Sequence, residues 1–326
     1  MRILIVGVGS IGKRHMENLV KLGHEVYGVD FKRESLDAVK HIASGTFESI
    51  EEALEVEPEV AFICTFSNAH IAPAIECAKA GCHIFIEKPL SLNLTDVDEL
   101  IGIIDEKKLI SMVGCNMRFH PGILYVHEVL AKNPYFKTKL WANLEFGFYL
   151  PFAKIDYESS YMANRSMGGN LIFDGIHELD YAAWFFGEPS EVICTKGILS
   201  DMKIDTEDYV DMILKFKSGV ICNVHMDYLQ HGYSRRCKVV CGEGTVVWDF
   251  ATEKTGIITI VDKEWKWEDM KLELYYNQMY MDEIKYFMNC IENMKETFNT
   301  VHDSESVLRL ALAANRSAES GMWEQI

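Results

Sequence analysis

Residues 1–30 read MRILIVGVGS IGKRHMENLV KLGHEVYGVD, and this stretch decides the fold. Arg2–Val6 is a short apolar, β-branched run, and 11–22 has helical spacing that stops at Gly23. A second strand-like run, 25–29, ends at Asp30. Between the first strand and the helix lies Gly7-Val8-Gly9-Ser10-Ile11-Gly12, a GxGxxG. Each glycine has a physical reason to be there. Gly7 permits a tight turn, Gly9 lets the backbone approach a pyrophosphate, and Gly12 allows close helix–strand packing. The helix start at Ser10 and Ile11 then presents free N–H groups to phosphate. Asp30, 23 residues after Gly7, stands where a carboxylate accepts hydrogen bonds from a ribose 2′-hydroxyl. The stretch predicts a dinucleotide site. Asp30 favours NAD, because a carboxylate repels the 2′-phosphate of NADP. Lys32 and Arg33 follow directly and could accept that phosphate, so NADP stays open.

The alternation continues outward. Strand-like runs at 60–65, 83–86 and 109–113 are separated by helical spacing at 48–55, 69–80 and 95–107, with breaks at Pro58 and Gly81. Strands alternating with helices imply a parallel sheet covered on both faces. After Pro121 the pattern changes. A helix over 123–131 precedes strand-like stretches at 139–149, 191–199, 209–216, 220–228, 237–240 and 245–250, with Ser218-Gly219 as a hairpin turn. Runs of strands without helices between them predict an antiparallel sheet. One helix is expected at 171–186, and two more at 279–294 and 304–321.

The 326 residues suit roughly two domains. Hydrophobic residues make up 48% and charged residues 25%, which is globular composition. The net charge of −17 is evenly spread: residues 1–120 hold 12 Lys+Arg against 18 Asp+Glu, and the rest hold 20 against 31. With no basic face to displace phosphate counterions, nucleic acid is not an expected partner. No apolar run reaches the roughly 20 residues that span a bilayer, so no membrane partner is expected. The N-terminal apolar run is short and enters glycines, so it reads as a strand and the chain as cytoplasmic. Nine cysteines without a CxxC pair read as reduced buried thiols, and no metal-ligand motif is found.

Polar residues gather where a parallel sheet places its chemistry, beyond the carboxyl ends of strands. Thr65-Phe66-Ser67-Asn68 follows one strand, Glu87-Lys88-Pro89 the next and Asn116-Met117-Arg118 the last. Lys88 precedes a proline, which holds its backbone extended. A lysine fixed there could stabilise a forming alkoxide.

GVGSIGKRH, TFSNAH, AGCHIFIEKPLS and NMRFHP, with the later GGNLIFDGIHELD (168–180) and ALAANRSAESG, resemble the glucose–fructose oxidoreductase / inositol dehydrogenase family. The resemblance runs through nearly the whole chain in order. It implies a Rossmann NAD(P)-binding domain at 1–120. It implies an α/β domain with a large, mostly antiparallel sheet at 121–326, for substrate binding and oligomerisation, whose C-terminal helix packs back on the first domain. It implies hydride transfer between nicotinamide and a hydroxyl carbon of a sugar, cyclitol or nucleotide sugar, in a homodimer or homotetramer formed through the second sheet. Relatives that cleave glycosides with NAD, or that regulate sugar pathways without catalysis, are the alternatives.

By the same resemblance Lys88 acts on the reacting hydroxyl, and His177 and Asp174 serve proton transfer. Thr65, Ser67, His70, Glu87 and Lys88 fall on the cofactor side with Gly7, Gly9, Ser10, Ile11, Gly12 and Asp30. Asn116, Arg118, Arg165 and His177 fall on the substrate side. Read without the family, Asp174, His177 and Tyr181 share one face of a continuous helix, and Asp174 can orient His177. Asp180 reads as structural. Two features depart from the family pattern. Asp174 precedes His177 by three residues where many relatives have four, and Thr65-Phe66-Ser67 stands where relatives often have TPN.

Overall fold

The computed structural model describes residues 1–270 and 276–326. They divide into two compact units, Met1–Asn116 with Asn277–Leu308, and Met117–Tyr276 with Arg309–Ile326. Residues 277–308, which a division into 1–120 and 121–326 gives to the second domain, thus lie in the first unit.

The first unit carries strands β1 (Arg2–Val6), β2 (Glu25–Val29), β3 (Gly45–Phe47), β4 (Val60–Ile63), β5 (His83–Glu87) and β6 (Ser111–Gly114). They form one sheet in the order β3-β2-β1-β4-β5-β6, and every pairing is parallel. Ile3, Leu4, Ile5, Phe62 and Phe85 are all fully buried, as a sheet covered on both faces requires. The strand order reverses between β1 and β4, so the switch point lies beside the glycine loop. The carboxyl ends of β1, β2, β4 and β5 bring Gly7, Asp30, Thr65 and Lys88 to one end of the sheet. At the β6 edge, residues 297–301 satisfy the exposed backbone. Val113 N donates to Asn299 O at 2.9 Å, Asn299 Nδ2 to Val113 O at 2.7 Å and Thr297 Oγ1 to Ser111 O at 2.7 Å. These bonds explain why the segment belongs with this unit.

The second unit is built on β7 (Lys139–Gly147), β8 (Pro189–Gly197), β9 (Tyr209–Phe216), β10 (Ile221–Asp227), β11 (Ser234–Cys241), β12 (Gly244–Asp249), β13 (Lys254–Thr259), β14 (Lys266–Asp269) and β15 (Glu324–Gln325). Their order is β14-β13-β12-β11-β7-β10-β9-β8-β15, antiparallel except where β10 runs parallel to β7. Along β10, Cys222, Val224 and Met226 are buried while Ile221, Asn223 and His225 are half-buried. This alternation marks a sheet with one packed face and one open face.

The single helix expected over 171–186 is interrupted. A turn of helix, Leu171–Asp174, ends at Gly175, and Ile176–Phe186 follows. Asn170 caps the first piece, accepting from Ile172 N at 3.0 Å. A Cβ on Gly175 would lie 2.1 Å from Met226 Sδ, so any larger residue there would have to displace the Met226 side chain of β10. Among the described residues, no helix is long and apolar enough to cross a membrane.

Candidate active site

In the first unit the glycine loop has the geometry its sequence predicts. Gly7 has φ +89°, and a Cβ there would meet Cys64 O at 2.7 Å. A Cβ on Gly12 would lie 1.9 Å from Gly7 O, which is why helix and loop can touch. Gly9 differs: nothing lies within 4 Å of where its Cβ would be. Gly9 also makes no side-chain cap for the helix Ser10–Lys21. Open space before an uncapped helix start suits an anion. Asp30 is braced by two backbone donors, Val8 N at 3.1 Å to Oδ2 and Lys32 N at 2.9 Å to Oδ1. Each oxygen keeps further accepting capacity for a ribose hydroxyl. These residues fit a dinucleotide.

The loops after β4 and β5 are tied together. Thr65 Oγ1 donates to Ala69 O at 2.9 Å, closing the turn that holds Ser67. His70, expected on the cofactor side, is only 1% exposed. Its Nδ1 lies 2.8 Å from Pro89 O and its Nε2 3.1 Å from Thr65 O. Both ring nitrogens face backbone carbonyls, so His70 ties the loop after β4 to the loop after β5. Burial holds its pKa below the ordinary histidine value. Glu87 is likewise engaged within the protein: it is buried, with Oε1 2.6 Å from Nε2 of the fully buried His15. Its Oε2 accepts from Lys88 N at 3.2 Å. Lys88 itself is half-buried, and Asn116 lies buried just beyond β6.

In the second unit, His177 stands in the first turn of the helix Ile176–Phe186 and is 8% exposed. Two acids that follow it on the helix, Glu178 and Asp180, pair with arginines. Glu178 pairs with Arg235, at 2.6 Å to Nε and 2.9 Å to Nη2, and also accepts from Tyr181 OH at 2.9 Å. Asp180 pairs with Arg118 through two bonds of 2.8 Å. Arg118, expected on the substrate side, is therefore engaged in a buried two-point ion pair, with side chains 3% and 2% exposed. The guanidinium also lies 5.1 Å from the centre of the Trp184 ring. Arg165 is 56% exposed at its side chain and reaches Glu207 Oε2 at 3.1 Å.

Because Gly175 interrupts the helix, Asp174 ends one helical turn and His177 lies in the first turn of the next helix, in place of the single helix expected. The Tyr228 hydroxyl donates to Asp174 Oδ2. Burial and the Asp174 carboxylate together push the pKa of Tyr228 well above that of an ordinary tyrosine, and that of Tyr161 as well. Neither tyrosine carries a sequence signal of its own. The open sheet face carries another cluster without a sequence signal. His225 lies 2.7 Å from Asp211 Oδ1 and 2.9 Å from Asp227 Oδ2, and these carboxylates raise its pKa to about 9. Among the described residues, no three His, Cys, Asp or Glu side chains converge to hold a metal ion.

A parallel sheet in this order, with a glycine loop at its switch point and an acidic residue just after β2, defines a dinucleotide-binding unit of the Rossmann type. The model of the oxidoreductase family with an NAD-binding Rossmann fold matches residues 1–115, and that of the GFO/IDH/MocA C-terminal domain matches 140–247. The chain belongs to this family. It is 28% identical over 333 residues to myo-inositol 2-dehydrogenase of Thermotoga maritima, covering 98% of this chain and 96% of that protein. It is 27% identical over 332 residues to inositol 2-dehydrogenase of Rhizobium meliloti, covering 97% and 96%. A solved structure of levoglucosan dehydrogenase in complex with NADH superposes with a TM-score of 0.90 at 17% identity, covering 100% of this chain and 99% of that one. At that identity the likeness concerns the fold.

Proposed function

We propose that the protein is an NAD-linked dehydrogenase that oxidises or reduces one hydroxyl carbon of a cyclitol or sugar. The carrying observation is Lys88, held half-buried at the carboxyl end of β5, on the same end of the sheet as the glycine loop and Asp30. The first unit serves as the dinucleotide unit, with the backbone around Gly7, Gly9, Ser10, Ile11 and Gly12 taking the pyrophosphate. Asp30 takes the ribose hydroxyls, and Thr65 and Ser67 line the nicotinamide side. When bound, NAD accepts or returns a hydride at the nicotinamide ring. Lys88 donates a hydrogen bond to the reacting hydroxyl oxygen and stabilises the alkoxide that forms. His177 takes or returns the hydroxyl proton, a role worth about 10²–10⁴-fold in rate. Asp174, held by Tyr228, sets the charge around that histidine.

Two relatives aligned over almost the whole chain are named inositol dehydrogenases, which supports a cyclitol as the first substrate to try. The half-exposed face of the nine-stranded sheet supports assembly through a second copy, readable as a dimer or tetramer mass by light scattering. The functional test is a screen of inositols, sugars and nucleotide sugars with NAD, followed at the nicotinamide absorbance. Steady NADH formation with one class supports the proposal. Product release from a glycoside without net NADH would favour the glycoside-cleaving alternative.

A further inference from the structure

We propose that His70 and the His15–Glu87 pair are positioning residues that fix Lys88 by gripping the residues on either side of it. The proposal rests on the reading of Lys88 given above. The preceding residue, Glu87, is anchored at 2.6 Å to His15, a fully buried ring packed against the stacked Phe62 and Phe85 at centroid distances of 5.4 and 5.3 Å. The other oxygen of the same carboxylate accepts from the N–H of Lys88 at 3.2 Å. The following residue, Pro89, has its carbonyl 2.8 Å from His70 Nδ1; a neutral ring donates from one nitrogen only, and this shorter contact is taken as the bond, with Nε2 facing Thr65 O at 3.1 Å without donating to it. One grip joins the lysine to the helix Ser10–Lys21 that the glycine loop opens. The other joins it to the loop after β4.

The physical need is clear from the side chain. Lysine carries its ammonium on a flexible four-carbon stem with about 2 kcal/mol of rotamer freedom. A scaffold limits that freedom by fixing the backbone from which the stem projects. Two buried polar rings are costly places to store hydrogen bonds if loop stability alone is needed. Placed on the two neighbours of one lysine, they define where its Cα sits relative to the phosphate-facing helix. Misplacement of a reacting group by about 1 Å costs on the order of 10²-fold in rate.

The test compares wild type, His70→Ala, His70→Asn, His70→Gln and His15→Ala, each saturated with NADH. Melting temperature, NADH affinity, kcat and KM are measured, together with the ¹³C NMR signal of isotopically dimethylated Lys88, assigned by its loss in Lys88→Arg. Asparagine keeps a donor near the Nδ1 position facing Pro89 O, and glutamine keeps one near the Nε2 position facing Thr65 O. The expected result for His70→Ala is NADH affinity within about twofold of wild type, kcat down roughly 10- to 100-fold, KM little changed and a displaced Lys88 signal. His15→Ala should displace the same signal, and His70→Asn should restore both signal and kcat. If His70→Ala does not fold, the comparison of Asn with Gln decides, with Asn near wild type and Gln impaired. Equal behaviour of Asn and Gln, or an unshifted Lys88 signal with wild-type kcat in the alanine variant, would overturn the proposal. If the wild type oxidises no polyol at all, the functional reading fails, and the Lys88 signal alone still decides whether the grips position it.

Discussion

Replacing Arg118 by methionine separates a structural arginine from a substrate arginine. The Arg118–Asp180 pair is almost fully buried and bonded through two 2.8 Å contacts, with side chains 3% and 2% exposed. Removing the cation leaves a carboxylate uncompensated in a low-dielectric interior. Breaking such a pair from one side costs about 3–5 kcal/mol. For a unit of this size roughly 2–4 °C of melting temperature is lost per kcal/mol, so a fall on the order of 10 °C is expected. The double variant Arg118→Met with Asp180→Leu removes both charges and should recover much of the loss, because an apolar pair of similar volume replaces the ions. The assay is thermal unfolding of the three proteins with NADH, alongside KM for the confirmed substrate. If Arg118→Met melts like wild type while KM rises tenfold or more, the reasoning is refuted and Arg118 binds substrate after all.

Gly9→Ala should keep the melting temperature, since its Cβ enters empty space, yet weaken NADH binding at least tenfold by fluorescence titration. Equal affinity would mean that no pyrophosphate approaches there. Asp30→Ser should weaken NAD binding by roughly 10- to 100-fold, the worth of hydrogen bonds to a charged group, and should improve NADP binding. Equal affinity of the wild type for both nucleotides would refute the role given to Asp30. His225 titrates near 9 between Asp211 and Asp227, above its unfolded value of about 6.5. Its stabilising contribution is therefore complete below about pH 6.5 and is lost as pH rises through about 9. The melting temperature of wild type should fall more over that window than that of His225→Gln, and a parallel decline in both would count against the assignment.

The first sheet is legible in the sequence because its strands are continuous apolar runs closed by breakers, such as Val60–Ile63 after Pro58 and His83–Glu87 after Gly81. The short Gly45–Phe47 and the exposed Lys266–Asp269 carry no such run, and the edge strand β14 and its neighbour β13 are not announced by the residues around them. Gly175 looks like a tolerable helix glycine until Met226, 51 residues away in the chain, is seen against it. The site divides along the same line. Gly7, Gly12 and Asp30 act through local backbone geometry, which neighbouring residues announce. Arg118, His70 and Glu87 have roles set by partners at distances of 62, 19 and 72 residues, and nothing beside them in sequence reveals a buried ion pair or a carbonyl tie.

The central claim is that Lys88 carries the electrophilic work of the reaction. Its most direct measurement is NADH formation by wild type and Lys88→Met on the substrate found in the screen, both saturated with NAD. Loss of one oxyanion-stabilising donor costs about 10²–10³-fold in kcat, so Lys88→Met should bind NADH normally and turn over that much more slowly. Full turnover by Lys88→Met would contradict the account.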